Sequence, residues 1–377
     1  MKLELKEFLD KLEEIVNISS WSYDPAGITA VADVIAGWFT GLGWQVTRHD
    51  LGEETGPLLQ ITNQGTDKYD AALLGHMDTV YPSESTAGWP FRVEGETAFG
   101  PGVVDMKNGL VSMYFVAKAL TELGDKAPSV CMLFNPDEEI GARYSKKKMI
   151  EIAANSPRLY VLEGASKDGT IHCHARKSIT GFTAIFHGQS AHAGNILDRA
   201  GASAILEAAR WTETICGWVD REKEITANVG VIEGGLAPNV VPDHARLRGE
   251  FRTVTMEDQK RILAQLEHMA ANPMTPGVTV ELENVGGRPP LVPSEGTMAE
   301  IERAKRIAAS IGQAFTVKAR GGVSDANTIC GALPHLICLD GMGPAGSNAH
   351  SPQEFLLTNT CLPNVELLTA LLLDLKK

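Results

Sequence analysis

The chain has 377 residues, of which 44% are hydrophobic and 21% charged, and its formal net charge is −13. This length predicts two domains, and the composition is typical of a globular protein with a large core. The acidic balance excludes nucleic acid and anionic membrane surfaces as the main partner. The sequence has no signal-peptide pattern, no run of about 20 apolar residues and no CxxC pair among its six cysteines, so we predict a cytoplasmic protein with reduced thiols.

The first half of the sequence alternates helical and strand-like patterns. Helices are predicted at residues 3–18, 28–42 and 107–123, and apolar strands at 58–62, 71–75, 129–135 and 159–162. Strands that alternate with helices are typical of an α/β domain with a mostly parallel central sheet flanked by helices. In such sheets, functional residues gather at the carboxyl ends of the strands.

The pattern changes near residue 177. The strand SITGFTAIFHG is followed by a helix at 200–216, the strands ITANVGVIEGG and ARLRGEFRTV, a helix at 256–271 and the strand VTVELEN. This β-α-β-β-α-β order predicts a ferredoxin-like α+β module. Helices and strands alternate again from residue 294 to residue 375. We therefore predict one discontinuous domain at 1–177 and 290–377, with the module inserted at 178–289.

Side chains that can bind a metal follow two of the predicted strands. His76 and Asp78 come directly after the strand at 71–75, and residues two apart in a strand share a face. One ring nitrogen of His76 could therefore bind a metal while Asp78 holds the other. The strand VCMLFNPDEE ends in Asp137, Glu138 and Glu139, whose mutual repulsion a cation would offset.

Two further acids and one further histidine also lie at the ends of predicted elements or in loops. Asp105 falls at the N-cap of the predicted helix in GPGVVDMKNGL, Glu163 ends the strand LYVLEGA, and His350 lies in the loop GPAGSNAHSPQEF. Taken singly, these clusters are better explained as a surface loop, a helix cap or solvated acids. Together they form a ligand set that suits Zn²⁺ and, less selectively, Co²⁺ or Mn²⁺.

Motifs along most of the chain resemble one known family, the co-catalytic zinc peptidases and deacylases, which includes aminoacylases, acetylornithine deacetylase and glutamate carboxypeptidases. The segments occur in family order between residues 70 and 355: GHMDTVYP, FRVEGETAFGPGVVDMKNG, LFNPDEEIG, GQSAHAG, NVVPDHARLRGEFR, GGRPPL, GGVSDANT and SNAHSPQEF. HMDTVY, the FRVEG stretch and GRP most resemble the folate-cleaving glutamate carboxypeptidases of bacteria.

The resemblance implies a role for each candidate residue of the discontinuous domain. His76 and Glu163 would complete one zinc site, and Glu139 and His350 would complete the other. Asp105 would bridge the two ions, and the peptide bond that follows it would be cis. Asp78 would orient His76, and Glu138 would act as the general base.

The resemblance also assigns the inserted module to a lid and dimerisation domain. His192 in GQSAHAG would reach the active site of the other subunit of a homodimer. Asn239 and Arg252 would hold the carboxylate of the substrate, and Arg288 in GGRPP would act similarly. Without the resemblance, His192 would be interpreted as a structural or exposed residue and Arg252 as a cation on a sheet surface.

The implied activity is hydrolysis of an amide bond by two zinc ions. The substrate would be a small peptide or an N-acyl amino acid, and the implied enzyme is a carboxypeptidase that releases a C-terminal amino acid such as glutamate. An N-acyl amino acid deacylase would use the same metals and base. An aminopeptidase or dipeptidase is a further alternative, and a catalytically inactive metal-binding protein is the alternative of another class.

Overall fold

The computed structural model describes residues 4–167, 171–198 and 201–376. The chain forms two compact units. The flanking unit comprises Met1–Ala175, Pro293–Arg320 and Ser324–Lys377, and the inserted unit comprises Arg176–Val292 and Gly321–Val323. The functional division predicted above, at 1–177 with 290–377 and at 178–289, stays a prediction.

Strands and α-helices are numbered along the whole chain. The strands are β1 (Gln45–His49), β2 (Leu58–Thr62), β3 (Ala71–His76), β4 (Arg92–Glu94), β5 (Thr97–Phe99), β6 (Val130–Asn135), β7 (Arg158–Val161), β8 (Gly164–Ser166), β9 (Ile171–Arg176), β10 (Ile179–His187), β11 (Ala191–His192), β12 (Thr226–Gly234), β13 (Val240–Val241), β14 (His244–Arg252), β15 (Thr279–Arg288), β16 (Thr316–Arg320), β17 (Ile337–Leu339), β18 (Gly343–Ser347) and β19 (Phe355–Leu357). The helices are α1 (Leu5–Val16), α2 (Pro25–Gly41), α3 (Ser83–Thr86), α4 (Asn108–Thr121), α5 (Lys146–Ala153), α6 (Ala204–Cys216), α7 (Met256–Ala271), α8 (Glu295–Ser310), α9 (Asp325–Ala332) and α10 (Cys361–Leu373).

The central sheet of the flanking unit has the order β1-β2-β6-β3-β7-β17. The strands from β6 to β17 pair in parallel, and β1 and β2 join antiparallel at one side. Every residue of β3 and β6 is buried, so both faces of these strands are covered. This explains their continuous apolar sequences, because parallel strands buried on both faces need no polar side. Residues of α1, α2, α4, α8 and α10 form the core with the sheet.

A second sheet of the flanking unit, with the order β16-β9-β8-β18-β19-β5-β4, was not predicted. Several of its strands span only three residues, and β18 has the sequence GPAGS. Such segments carry no alternation of apolar and polar residues. The sheet places Glu163, just before β8, and His350, between β18 and β19, in the same unit as the end of β3.

The inserted unit contains an antiparallel sheet of the order β12-β14-β10-β15. Its six elements follow one another as β10-α6-β12-β14-α7-β15, which is the ferredoxin-like arrangement. Side chains of the sheet and of both helices share one core that includes Phe186, Trp211, Phe251 and Leu266. The predicted fold class, an α/β domain with an inserted ferredoxin-like module, is confirmed.

Some predicted helix limits differ from those observed. The helix predicted at 200–216 begins at Ala204, directly after its N-cap residue Ser203. The hydroxyl of Ser203 accepts a hydrogen bond from the amide of Leu206. Residue 200 lies outside the described residues, as does residue 3 of the first predicted helix. Among the residues that the structure describes, no helix combines the length and apolar character needed to cross a membrane, and no disulfide joins two of the six cysteines.

Candidate metal centre

His76 and Asp78 lie where the central strand β3 ends. The ring nitrogen Nδ1 of His76 donates to the backbone carbonyl of Asp78 at 3.0 Å and lies 3.3 Å from Oδ1 of the same residue. A carbonyl oxygen only accepts, so Nδ1 is the protonated nitrogen and Nε2 is directed to the other side of the ring. Both side chains are buried. Nε2 of His76 is therefore the atom that a metal would use.

Asp105 lies on the loop between β5 and α4. The prediction that it caps this helix is wrong: α4 begins at Asn108, its N-cap is Lys107, and Asp105 has the non-helical angles φ −122° and ψ 89°. The peptide bond from Asp105 to Met106 is cis, as the resemblance implied. The loop needs a glycine at Gly102, where φ is +73° and an added Cβ would lie 2.7 Å from the side chain of Thr79.

The carboxylate of Asp105 lies between two histidines. Its Oδ1 is 3.1 Å from Nε2 of His76, and its Oδ2 is 3.2 Å from Nε2 of His350. Oε1 of Glu163 lies 3.6 Å from Nε2 of His76, and Oε2 of Glu139 lies 3.2 Å from Nε2 of His350. His76, Asp105 and Glu139 each offer one ligand atom, and these atoms lie within 4.8 Å of one another. The structure thus brings together the five predicted metal ligands.

Glu138 and Glu139 follow the buried strand β6 and are held by Asp78. Oδ1 of Asp78 accepts from the amide of Glu138 at 3.0 Å, and Oδ2 accepts from the amide of Glu139 at 3.1 Å. The third acid of the run, Asp137, instead accepts from the amide of Tyr144 at 2.6 Å and from the hydroxyl of Ser145. Only two of the three adjacent acids therefore belong to the candidate centre.

The charges of this cluster fit a bound cation. Burial, followed by the negative charge of Asp105, raises the pKa of Glu139 to about 8 and holds the pKa of Glu163 well above its usual range. Hydrogen bonds with Asp105 and Glu139 raise the pKa of His350 to about 11. Oε1 of Glu139 is buried without a hydrogen-bond partner. Carboxylates that repel one another, together with an unpaired buried oxygen, are what a divalent cation would stabilise.

Glu354 belongs to the same region and was not predicted. It is fully buried, and its carboxylate accepts hydrogen bonds from the amides of Val104 and Asp105 at 2.7 and 3.0 Å. The amide of Gly102 and the hydroxyl of Tyr81 also donate to it, at 3.1 and 2.7 Å. In the sequence it is a single acid in a polar loop, which gives no sign of burial.

The predicted catalytic residue His192 and the three predicted substrate-binding residues lie in the inserted unit, where His192 and Asn239 are neighbours. His192 in β11 pairs with Val240 in β13, and Val240 directly follows Asn239 in the chain. The backbone carbonyl of Asn239 accepts a hydrogen bond from the amide of Ala193 at 3.0 Å. The side chain of His192 is exposed, and its Nδ1 accepts from the amide of Gly194. The predicted roles of His192 and Asn239 stay predictions.

The two arginines lie at the ends of strands in the same unit. Arg252 ends β14, where its guanidinium donates to Glu250 at 2.8 Å and to the carbonyl of Gly321 at 3.1 Å. Arg288 ends β15 and is only 4% exposed. Their predicted contacts with a substrate carboxylate stay predictions.

Comparisons with known proteins identify the family. Residues 72–374 match the profile of "Peptidase family M20/M25/M40". "Carboxypeptidase G2" of Pseudomonas sp. (strain RS-16) is 28% identical over 355 residues, which cover 93% of this chain and 85% of that protein.

Solved structures agree with this match. Aminopeptidase PepT from Bacillus cereus ATCC 10987 superposes with a TM-score of 0.79 at 25% identity, over 100% of both chains. The YXEP protein of Bacillus subtilis, described as a dinuclear metal-binding peptidase from the M20 family, has the same fold, with a TM-score of 0.72 at 15% identity over 98% of each chain. The resemblance seen in the sequence is thus confirmed. The chain belongs to peptidase family M20/M25/M40, a family of metallopeptidases.

Proposed function

We propose that this protein is a two-zinc hydrolase that cleaves an amide bond, and specifically a carboxypeptidase that releases a C-terminal amino acid such as glutamate. The observation that carries the proposal is the position of the Asp105 carboxylate, with one oxygen 3.1 Å from His76 and the other 3.2 Å from His350. A carboxylate between two histidines is suited to bridge two ions. His76 with Glu163 would hold one ion, and His350 with Glu139 would hold the other.

Glu138 is the proposed general base, since it neighbours a ligand without being one. The chemistry that the two ions supply when bound is polarisation of the scissile carbonyl and activation of the attacking water. Glu138 accepts the proton of that water as its oxygen attacks the carbonyl carbon, and passes the proton to the leaving nitrogen as the C–N bond breaks. Asp78 fixes the base by accepting a hydrogen bond from its amide.

The carboxypeptidase part of the proposal requires a group that holds the free carboxylate of the substrate. The planar guanidinium of Arg252 can bind a carboxylate through two hydrogen bonds, and the side-chain amide of Asn239 can donate a further one. The similarity to carboxypeptidase G2 over most of both chains supports this reaction over deacylation. The proposed compartment is the cytoplasm.

We further propose that the protein is a homodimer joined through the inserted unit, in which the partner subunit's His192 completes the site. Strand β12 ends the sheet order of this unit, so one of its edges has no neighbouring strand among the described residues. Large apolar side chains are exposed in the same unit, with Leu206 46%, Ile232 49% and Leu236 90% exposed. An open edge beside apolar surface favours pairing with a second copy.

A zinc add-back assay tests the reaction. Metal-stripped protein is incubated with folate, N-acylglutamates, N-acetylornithine, succinyl-diaminopimelate and dipeptides, before and after zinc is added. We expect zinc-dependent release of a C-terminal amino acid, with glutamate fastest. The variant Glu138→Gln should retain zinc and lose turnover by about 10²- to 10⁴-fold, because only proton transfer is removed.

Each other outcome of this assay points to one alternative. Activity only on acetyl or succinyl groups would make the protein a deacylase. Release of N-terminal residues would make it an aminopeptidase or dipeptidase. Bound zinc without turnover of any amide would leave a metal-binding protein without catalysis, and full activity of Glu138→Gln would refute the assignment of the base.

A further inference from the structure

Glu354 is hydrogen-bonded to the loop that carries Asp105, a residue of the candidate metal centre. Each oxygen of its carboxylate accepts two hydrogen bonds: Oε1 from the amides of Val104 and Asp105, and Oε2 from the amide of Gly102 and the hydroxyl of Tyr81. All four donors are neutral, and the side chain is fully buried. Three backbone amides within residues 102–105, just before α4, are thus hydrogen-bonded to one side chain.

The same loop that carries Glu354 also carries His350. The amide of Glu354 donates to the carbonyl of Ser351 at 3.0 Å, and the hydroxyl of Tyr81 lies 3.2 Å from that carbonyl. Asp105 is therefore contacted at two points by a single segment: its side chain by His350 at 3.2 Å and its amide by Glu354 at 3.0 Å. The distance between the two candidate ligands depends on both contacts.

We infer that Glu354 is a positioning residue that sets the zinc affinity of the centre by holding Asp105 and His350 at the spacing a shared ion requires. The inference rests on the proposed function, because it presupposes that these two residues bind zinc. A carboxylate is needed, since its two oxygens only accept and four donors converge on them. Glutamine has the same size but would direct an NH₂ group at two of these donors.

The chain provides a matched control in the inserted unit. Glu207 is also fully buried, and it accepts from the amides of Met274 and Thr275 at 3.0 and 2.7 Å and from the indole nitrogen of Trp211 at 3.1 Å. Glu207→Gln therefore removes the same kind of buried acceptor from a place that holds no candidate ligand. It reports what the loss of such a carboxylate does to stability alone.

The experiment measures zinc affinity by competition with a chromophoric chelator, and thermal unfolding of the metal-free proteins. We expect Glu354→Gln to weaken zinc binding by about 10- to 100-fold, the usual cost of losing a partner of a metal ligand. Glu207→Gln should lower the unfolding temperature and leave zinc affinity unchanged. Tyr81→Phe removes one neutral donor and should weaken zinc binding by about threefold, which provides a test even if Glu354→Gln does not fold.

Wild-type affinity in both Glu354→Gln and Tyr81→Phe would overturn the inference while leaving the proposed function intact. So would equal weakening in Glu207→Gln, since the effect would then follow from stability alone. Absence of zinc binding by the wild-type protein would instead overturn the proposed function, and the inference with it.

Discussion

Asp78 accepts hydrogen bonds from two separate parts of the chain. The hydroxyl of Ser22 donates to it at 2.7 Å, and the amides of Glu138 and Glu139 donate at 3.0 and 3.1 Å. The same carboxylate lies 3.3 Å from the ring of His76. A candidate ligand and the candidate base are therefore fixed by one buried side chain, and a change at Asp78 would displace both.

His172 is a buried residue whose protonation opposes folding. Its ring stacks on Phe315 with the centroids 4.5 Å apart, and Nδ1 donates to the carbonyl of Gly341 at 2.9 Å. Burial lowers the pKa of His172 from 6.5 to about 4. Between these pH values His172 is protonated in the unfolded chain but not in the folded chain, so the free energy of unfolding falls as the pH falls. The loss should approach about 3 kcal/mol at pH 4.

Urea unfolding of the metal-free protein between pH 7 and pH 4 checks this prediction. His172→Phe retains a ring against Phe315 but cannot be protonated, so the free energy of unfolding should depend less on pH than in the wild type. His187, whose side chain is 52% exposed, provides the control, and His187→Phe should leave the dependence unchanged. A dependence in His172→Phe that parallels the wild type would contradict the assignment.

At the scale of elements, Glu300 connects helix α8 to strand β7. Its Oε1 accepts from the hydroxyl of Tyr160 and from Nη2 of Arg303, both at 2.5 Å, and its Oε2 accepts from Nε of Arg303 at 3.0 Å. Arg303 also donates to the carbonyl of Leu371 in α10 at 3.1 Å. Glu300 is only 3% exposed, so the pair is part of the interior where the two helices and the sheet meet.

Glu300→Ala should lower the free energy of unfolding by about 1.5 to 3 kcal/mol, because it removes a buried charged acceptor from Tyr160 and Arg303. Arg303 keeps its second carboxylate partner, Asp374, at 3.0 Å. Glu302 lies on the same helix and pairs with Lys305 at the surface, where the side chains are 63% and 47% exposed. Glu302→Ala should therefore lower the free energy of unfolding by less than about 1 kcal/mol. Chemical denaturation of the two variants checks the difference, and similar losses in both would show that Glu300 does not stabilise this junction.

The elements differ in how far the sequence predicts them. Strand β2 and helix α7 have the predicted bounds, because a short, mostly apolar run and a long amphipathic pattern are distinctive. The second sheet of the flanking unit was missed, since strands of three residues such as β8 and β19 have no periodicity to detect. Asp105 was placed on a cap because an acid before a helix is common there, whereas the helix begins three residues later.

The candidate site shows the same contrast. His76, Glu139 and Glu163 lie at or just after the carboxyl ends of strands that pair in one sheet, so their convergence could be inferred from the order of elements. The bonds of Asp78 to the amides of Glu138 and Glu139 join positions 60 and 61 residues apart, and no local pattern indicates them. The role of Glu354 likewise depends on contacts with a loop about 250 residues earlier in the chain.

At the scale of the whole molecule, subunit mixing tests the proposed dimer. A dimer of one Glu138→Gln chain and one His192→Ala chain would retain one intact site, formed by Glu138 of the second chain and the partner subunit's His192. Equal mixing of the two inactive variants should therefore restore about a quarter of the wild-type activity, because half of the dimers are hybrids with one working site of two. Activity of the mixture and its mass by light scattering are measured together.

The control mixture pairs His192→Ala with the double variant Glu138→Gln/His192→Ala, which offers no intact histidine. This mixture should remain inactive. If mass spectrometry verifies subunit exchange and the first mixture also remains inactive, His192 does not act across a dimer. A monomeric wild-type protein with full activity would lead to the same conclusion.

The insertion of one unit within the other has a consequence for how the protein is made. A ribosome delivers His76, Asp105, Glu139 and Glu163 first, then the whole inserted unit, and only afterwards β17 and His350. The inserted unit has its own core and can fold while the flanking unit still lacks a strand of its central sheet. All the residues of the proposed site with His76 and Glu163 therefore precede the inserted unit, whereas the proposed site with Glu139 and His350 would be complete only near the end of synthesis.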